Sequence, residues 1–262
     1  MPTKKRGDAG EFAKLACGEY NTIVVAGGDG TLNEVVNAIS TFENRPKIGY
    51  IPMGTTNDFA HSLKIPKNIK KAVKIILDGK TVKNDVFKIN DRFGVYVCAF
   101  GIFTASSYTA KQGAKKRFGK LAYYLSGIKE IKHANKFKVV LKTGDVVLEQ
   151  NVILGIIANS RYVSGYKINK MACHWDGCVD LVLFKERKKR GVSLRMLLKI
   201  FSLFLFGITT LKNSKDVIIL KLSECSIEMD ENISVNVDGE KGLCGSFNLK
   251  VLKQHMEIFV KG

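Results

Sequence analysis

The chain is poor in whatever would stiffen or staple it. Four prolines among 262 residues exclude a Pro-rich linker protein. Six cysteines (Cys17, Cys98, Cys173, Cys178, Cys225 and Cys244) contain no C-x-x-C pair. That excludes a disulfide framework and agrees with reduced thiols in a reducing compartment. Cys173, His174 and Cys178 lie close together, but no second Cys/His pair with ligand spacing accompanies them, which argues against zinc. Acidic residues are scarce, 24 against 42 Lys and Arg, giving a net charge of +18. A surface this basic meets something anionic: nucleic acid, an anionic membrane or phosphorylated small molecules. Nucleic acid is not expected, because the Lys and Arg residues are spread widely and no helix-turn-helix, zinc finger or RNP motif is present.

Long apolar runs are also missing. The N-terminal MPTKKRGDAGEF has no apolar h-region and does not read as a secretory signal. The best membrane candidate, Val192–Ile208, contains Arg195 and Lys199, and its uncharged run from Ile200 is too short to span a bilayer. Arg187, Lys188, Lys189 and Arg190 precede it. Two readings stand: a helix lying at a membrane interface, or a core-packed helix with a solvated basic cap. There is no internal repeat and no low-complexity stretch.

What is present is an ordinary globular mix, 45% apolar and 25% charged, long enough for one large or two modest domains. Gly7–Gly18 is compatible with a helix. Thr22–Ala26 and Lys47–Pro52 are short β-branched runs of buried-strand type. Thr31–Ser40, Asn57–Leu63 and Asn68–Leu77 carry helical apolar spacing. Helix and strand alternate, an α/β pattern. From Asp85 onward strands dominate: Val86–Ile89, Gly94–Phe100, Phe137–Leu141, Val146–Ile157, Val179–Phe184, Val217–Leu222, Ser226–Met229, Ile233–Val237 and Phe247–Leu252. Helices are expected at Gly119–Ile131 and Ser193–Phe206. This half reads as an antiparallel β-domain with inserted helices.

Four motifs carry chemistry. Gly27-Gly28-Asp29-Gly30-Thr31-Leu32-Asn33-Glu34 follows an apolar strand and opens a helix, where glycines allow close approach and free N–H groups suit phosphate. It is neither the dinucleotide fingerprint nor a Walker A loop. Pro52-Met53-Gly54-Thr55-Thr56-Asn57-Asp58 repeats the strand–loop–helix context. In a parallel sheet both loops would lie at the carboxyl edge, where ligands bind. Trp175-Asp176-Gly177-Cys178-Val179-Asp180 and Asn236-Val237-Asp238-Gly239-Glu240 read as turns whose carboxylates are able to hold Mg²⁺ or accept a proton.

In this order, GGDGTLNEVVNAI, PMGTTNDFA, DGCVDLVLF and VDGE resemble the bacterial diacylglycerol kinase-type lipid kinases over nearly the whole chain. The resemblance implies a three-layer α/β nucleotide-binding domain (1–85, with a returning segment 255–262) and a larger C-terminal antiparallel β-sandwich domain (86–254) for the lipid, of NAD kinase/diacylglycerol kinase type. It implies transfer of the γ-phosphoryl of ATP, with Mg²⁺, to a hydroxyl of a membrane lipid, diacylglycerol first among them. Carried over by position, Thr3, Gly28, Asp29, Gly30, Thr31, Leu32, Asn33, Glu34 and Thr55 contact ATP. Glu240 matches the proton acceptor, and Asp29 and Asp85 match acidic residues near the catalytic centre. Asp176, with the backbone carbonyls of Cys173 and Cys178, matches a Mg²⁺ site. One carboxylate for the hydroxyl proton, plus positioning and charge neutralisation, is what phosphoryl transfer needs. Implied partners are the lipid substrate and an anionic membrane surface, at the inner face of the membrane with the chain otherwise cytoplasmic; a homodimer is admitted. The family opens with a strand and an N-P-x-x-G turn. This sequence starts at what corresponds to the end of the second strand, so one strand and part of the phosphate cradle are expected to be absent. MACHWDG departs from the usual proline and paired acid of the metal loop. A NAD kinase, which shares GGDGT, and a non-catalytic lipid- or nucleotide-binding remnant are the rival readings.

Overall fold

The computed structural model describes residues 1–102, 136–186 and 192–262; the helix expected at Gly119–Ile131 and the basic run 187–190 lie outside them. Strands β1 (Thr22–Gly27) and β2 (Lys47–Pro52) run parallel, from Thr22 opposite Lys47 to Gly27 opposite Pro52. Alternation along them buries Val25, Ile48 and Tyr50 in one cluster with Leu32, Val35, Val36 and Ile39 of helix α2 (Asp29–Ile39). Those four α2 positions recur at three- and four-residue spacing and share one face. Helix α1 (Asp8–Ala16) packs on α2 through Gly10, where a Cβ would come within 3.2 Å of the Glu34 carbonyl oxygen. After the short helix α3 (Asp58–Ser62), α4 (Ile69–Asp78) covers the other side of the sheet, with Ile76 against Gly49. Asn68 caps α4 by accepting the Lys71 N–H at 3.1 Å, and Gly79 ends it in the left-handed region. The result is three layers: helix, parallel sheet, helix.

Beyond α4 the described chain is mostly strand. In order come β3 (Thr81–Ile89), β4 (Arg92–Gly94), β5 (Val97–Gly101), β6 (Phe137–Thr143), β7 (Val146–Ala158) and β8 (Val179–Lys185). Helix α5 (Leu194–Phe206) precedes β9 (Val217–Leu222), β10 (Glu224–Glu228), β11 (Ser234–Val237), β12 (Glu240–Cys244) and β13 (Phe247–Phe259). Nearly all pairings are antiparallel, and a second apolar core built on Phe87, Phe100, Leu141, Ile157, Leu181 and Phe247 fills the sandwich. A three-layer α/β part followed by an antiparallel β-sandwich is the class expected from the sequence.

Strand β13 knits the two parts together. Leu249–Leu252 pair with β3, the register then shifts, and Met256–Phe259 pair with β3 again. Ile258 is also the parallel partner of Ile48 in β2. The strand runs on to Phe259 instead of stopping at Leu252, because the irregular stretch hides its second half from an alternation pattern. Strand β12 was not expected either. Helix α5 matches its expected span but answers to neither reading alone. Met196, Ile200 and Leu203 are buried, whereas Leu194, Leu198, Phe201, Leu205 and Phe206 are each at least 52% exposed. Arg195 and Lys199 both pair with Asp216. No described helix is long and apolar enough to cross a membrane.

Asp238 is the main polar joint. Asp238 and Gly239 both take positive φ (52 and 85), as a two-residue hairpin turn between β11 and β12 requires. The buried carboxylate accepts the N–H groups of Val95 (2.6 Å), Tyr96 (3.0 Å) and Val97 (2.9 Å) and the Asn33 side-chain amide of α2 (2.7 Å). Asn37 completes the clasp, its Oδ1 accepting the Phe93 N–H at 2.9 Å and its Nδ2 donating to the Phe93 carbonyl at 2.8 Å. Removing the carboxylate strands these donors in a dry interior. Asp238→Ala is therefore expected to lower unfolding stability by about 3–5 kcal/mol, and Asp238→Asn by less, in urea titrations. An Asp238→Ala loss under about 1 kcal/mol would show that the joint lies elsewhere.

Candidate active site

Both glycine loops leave the carboxyl ends of β1 and β2 and meet there. The Met53 N–H donates to the Gly27 carbonyl at 2.8 Å. A Cβ on Gly54 would fall 2.6 Å from the Gly28 Cα, so the two backbones touch and only hydrogen fits between them. Asn57, in the left-handed region, closes the second loop: its Oδ1 accepts the Gly54 N–H at 2.9 Å and its Nδ2 donates to the Gly54 carbonyl at 2.7 Å. Asp29 bridges the loops, accepting the Asp58 and Phe59 N–H groups at 3.0 and 3.3 Å. Burial raises its pKa, against the pull of those amides. Asp58 repeats the device towards the β-sandwich, with Ser164 N–H at 2.6 Å on one oxygen and Gly165 N–H at 2.7 Å on the other.

Glu240, first residue of β12, leans over this floor. Its Oε1 lies 3.7 Å from where a Gly30 Cβ would be. Its Oε2 pairs with Arg6 and lies 3.8 Å from Arg92 Nη2. Gly28, Asp29, Gly30, Gly54 and Glu240 are thus brought together. Thr31 packs its side chain against Gly27. The Leu32 side chain is in the apolar core and its N–H bonds to the Gly28 carbonyl, while Asn33 faces Asp238. Glu34 is half-buried, Thr55 is exposed with its carbonyl accepting from Lys67 at 3.0 Å, and Thr3 is exposed ahead of α1.

Asp85 belongs to a different cluster. Its oxygens accept the Gly177 and Gln254 N–H groups, each at 2.6 Å, and its own N–H donates to the His174 carbonyl at 2.6 Å. Burial raises its pKa. Asp85 thus fastens the 173–178 loop to the irregular stretch of β13. In that loop Asp176 accepts the Cys178 N–H at 3.0 Å and the Lys221 ammonium at 2.5 Å. Cys173 and Cys178 are half-buried free thiols. Among the described residues no three His, Cys, Asp or Glu side chains converge. Asp176 is therefore the one side-chain oxygen ligand of the implied Mg²⁺ set, with the Cys173 and Cys178 carbonyls beside it, and its outer oxygen is paired with Lys221. Asp58 and Asp238 were missed as site-building residues. The signal for them was a carboxylate flanking each glycine turn, and their partners lie far away in sequence.

Paired glycine loops at a parallel sheet edge, with a carboxylate from a β-sandwich above them, form a site suited to phosphoryl transfer. Residues 1–89 match the family model "Diacylglycerol kinase catalytic domain" and residues 97–260 the "YegS C-terminal NAD kinase beta sandwich-like domain". A diacylglycerol kinase of Staphylococcus carnosus is 36% identical over 259 residues, 98% of this chain and 82% of that protein. That of Staphylococcus aureus is 34% identical over 259 residues, 98% and 80% of the two. A solved diacylglycerol kinase structure from Bacillus anthracis superposes with TM-score 0.77 at 26% identity, covering 100% of this chain and 84% of that one. The chain belongs to the diacylglycerol kinase family, and neither rival reading is favoured.

One buried group near this machinery is uncompensated. His174 is 2% exposed, and neither ring nitrogen has a hydrogen-bond partner. Burial first, then the Arg161 charge, push its pKa from 6.5 down to about 4. The folded state keeps the ring neutral while the unfolded state protonates near pH 6.5. Its contribution is therefore complete above pH 6.5 and is lost as pH falls towards about 4, about 3 kcal/mol in all. Melting midpoints from pH 7 to 4 should fall more steeply for the native chain than for His174→Leu; parallel curves would count against it.

Proposed function

We propose that this chain phosphorylates diacylglycerol, transferring the γ-phosphoryl of ATP to its free hydroxyl to give phosphatidic acid. The observation that carries the reading is Glu240 Oε1 suspended over Gly30, a carboxylate set where a phosphate-binding loop is open. The N–H groups of Gly28–Thr31 would receive the phosphates, with the Gly54–Asn57 loop as the neighbouring wall. Mg²⁺ bound with the nucleotide would supply charge neutralisation at the transferred group. Glu240 Oε1 takes the lipid hydroxyl proton as that oxygen bonds to γ-phosphorus. The bond from γ-phosphorus to the bridging oxygen breaks, and ADP leaves with its electron pair. Arg92 and Arg6 hold the carboxylate in place. The names borne by the relatives support the choice of lipid. On this reading residues 1–85 and 255–262 serve the nucleotide and 86–254 the lipid, with Thr3 and Thr55 at the nucleotide's rim.

The reading also gives the exposed stripe of α5 a use. Leu194, Leu198, Phe201 and Leu205 follow helical spacing on the face away from Met196, Ile200 and Leu203. Their role is to enter the headgroup region of an anionic inner leaflet, drawn there by the net charge of +18.

With radiolabelled ATP and diacylglycerol, Glu240→Gln should lower kcat about 10²–10⁴-fold and change the KM for ATP only a few-fold. Undiminished transfer would refute Glu240 as base. Leu198→Glu combined with Phe201→Glu should abolish binding to anionic vesicles, which high salt should also release from the native chain, and should leave phosphorylation of a short-chain, water-soluble diacylglycerol intact. Salt-insensitive binding to neutral vesicles would contradict the electrostatic part.

A further inference from the structure

We propose that Tyr50 is a positioning residue for Asp29 and Asp58, acting through one internal water that its hydroxyl shares with their two carboxylates. The proposal rests on reading the glycine loops as the nucleotide site. Tyr50 lies on β2 opposite Val25 of β1, and its ring is packed in the apolar cluster with Leu32 and Phe59. The residue is 1% exposed, and its hydroxyl has no hydrogen-bond partner in the protein. Phenylalanine would fill the same space and leave no polar group unpaired. A hydroxyl kept at such a place needs a partner that the chain itself does not supply.

The surroundings fit water. Asp29 begins α2 and Asp58 begins α3, after the loops that leave β1 and β2. Burial first, then the charges of Asp29 and Asp58, hold the Tyr50 phenol above its ordinary pKa, so it stays protonated and a donor. Tyr96, from the sandwich side, feels the same two carboxylates and Tyr50 as well. Two phenols and two carboxylates therefore gather at the foot of the loops. The Tyr50 hydroxyl bonds directly to none of them. Water completes the set: it accepts the Tyr50 O–H and donates one hydrogen to Asp29 and one to Asp58. A carboxylate has about four acceptor positions, which admits such a donor beside the backbone N–H groups on each aspartate. Three partners is the usual complement of a buried water. Asp29 ties loop to loop and Asp58 ties the second loop to the sandwich, so one water steadies both joints before the nucleotide arrives. Without it, ATP has to order them on binding.

The test measures ATP binding by calorimetry and thermal melts of the full chain. Tyr50→Phe should melt about 2–4 °C lower than the native chain and bind ATP about 3–10-fold more weakly. Ile157→Val, a truncation in the sandwich core, should also lower the midpoint and leave ATP affinity unchanged. A crystal structure of the native chain should show a water within hydrogen-bond distance of the Tyr50 hydroxyl and an Asp29 oxygen. A Tyr50→Phe variant that melts higher, as removal of a merely unpaired hydroxyl would make it, overturns the proposal. So does undiminished ATP affinity in that variant, an equal loss of affinity in Ile157→Val, or no water at that place. A native chain that binds no ATP refutes the nucleotide-site reading itself, a failure distinct from each of these.

Discussion

The carboxylate of Asp238 is the contact on which the rest of the molecule depends. Four N–H donors reach it in the buried interior: three backbone amides and the Asn33 side-chain amide, which also donates to the Phe93 carbonyl at 3.2 Å. Burial raises its pKa to about 6, so the group is ionised at neutral pH and is at its strongest as an acceptor. It joins α2, the start of β5 and the β11–β12 turn in one step. Glu240 lies two residues further on, and that turn fixes the direction in which β12 begins. The position of the proposed base over Gly30 is thus a by-product of a structural carboxylate. A motif that reads as a simple hairpin turn in sequence has a dry half and a wet half: Asp238 faces inward and Glu240 faces the loop.

The same economy explains the charge of the chain. Asp29, Asp58, Asp85 and Asp238 are held with their oxygens on backbone N–H groups. Each closes a place where the chain leaves regular structure, where N–H groups would otherwise go unpaired. These acids are turned inward, while the described lysines and arginines are exposed or half-exposed. The excess of 42 basic over 24 acidic residues understates how positive the exterior is. On α5 the two cations, Arg195 and Lys199, are tied to Asp216.

Much of this was legible from residues alone. TIVVA and KIGYIP are short, β-branched and bounded by glycine or proline, so their strands and the loops after them read directly. The apolar spacing of α2 and α4 did the same for the helices. What escaped depends on long-range partners. Asp58 looks like a helix-start residue until Ser164 and Gly165 are folded onto it. The second half of β13, KQHMEIF, breaks alternation at the very residues where Asp85 takes the Gln254 N–H. Five residues at β12, two of them charged, gave no periodic signal. For α5 two readings stood open because the helix is apolar on both faces, a pattern that composition reports and orientation does not.

The contact between Gly28 and Gly54 bears on how such a site can change over generations. Each glycine is the other's ceiling, so a side chain at either position would first need the two strands beneath to spread apart. Drift at one loop is therefore blocked unless the other moves with it. The two loops are thus constrained as one unit, and freedom to vary lies elsewhere in the fold.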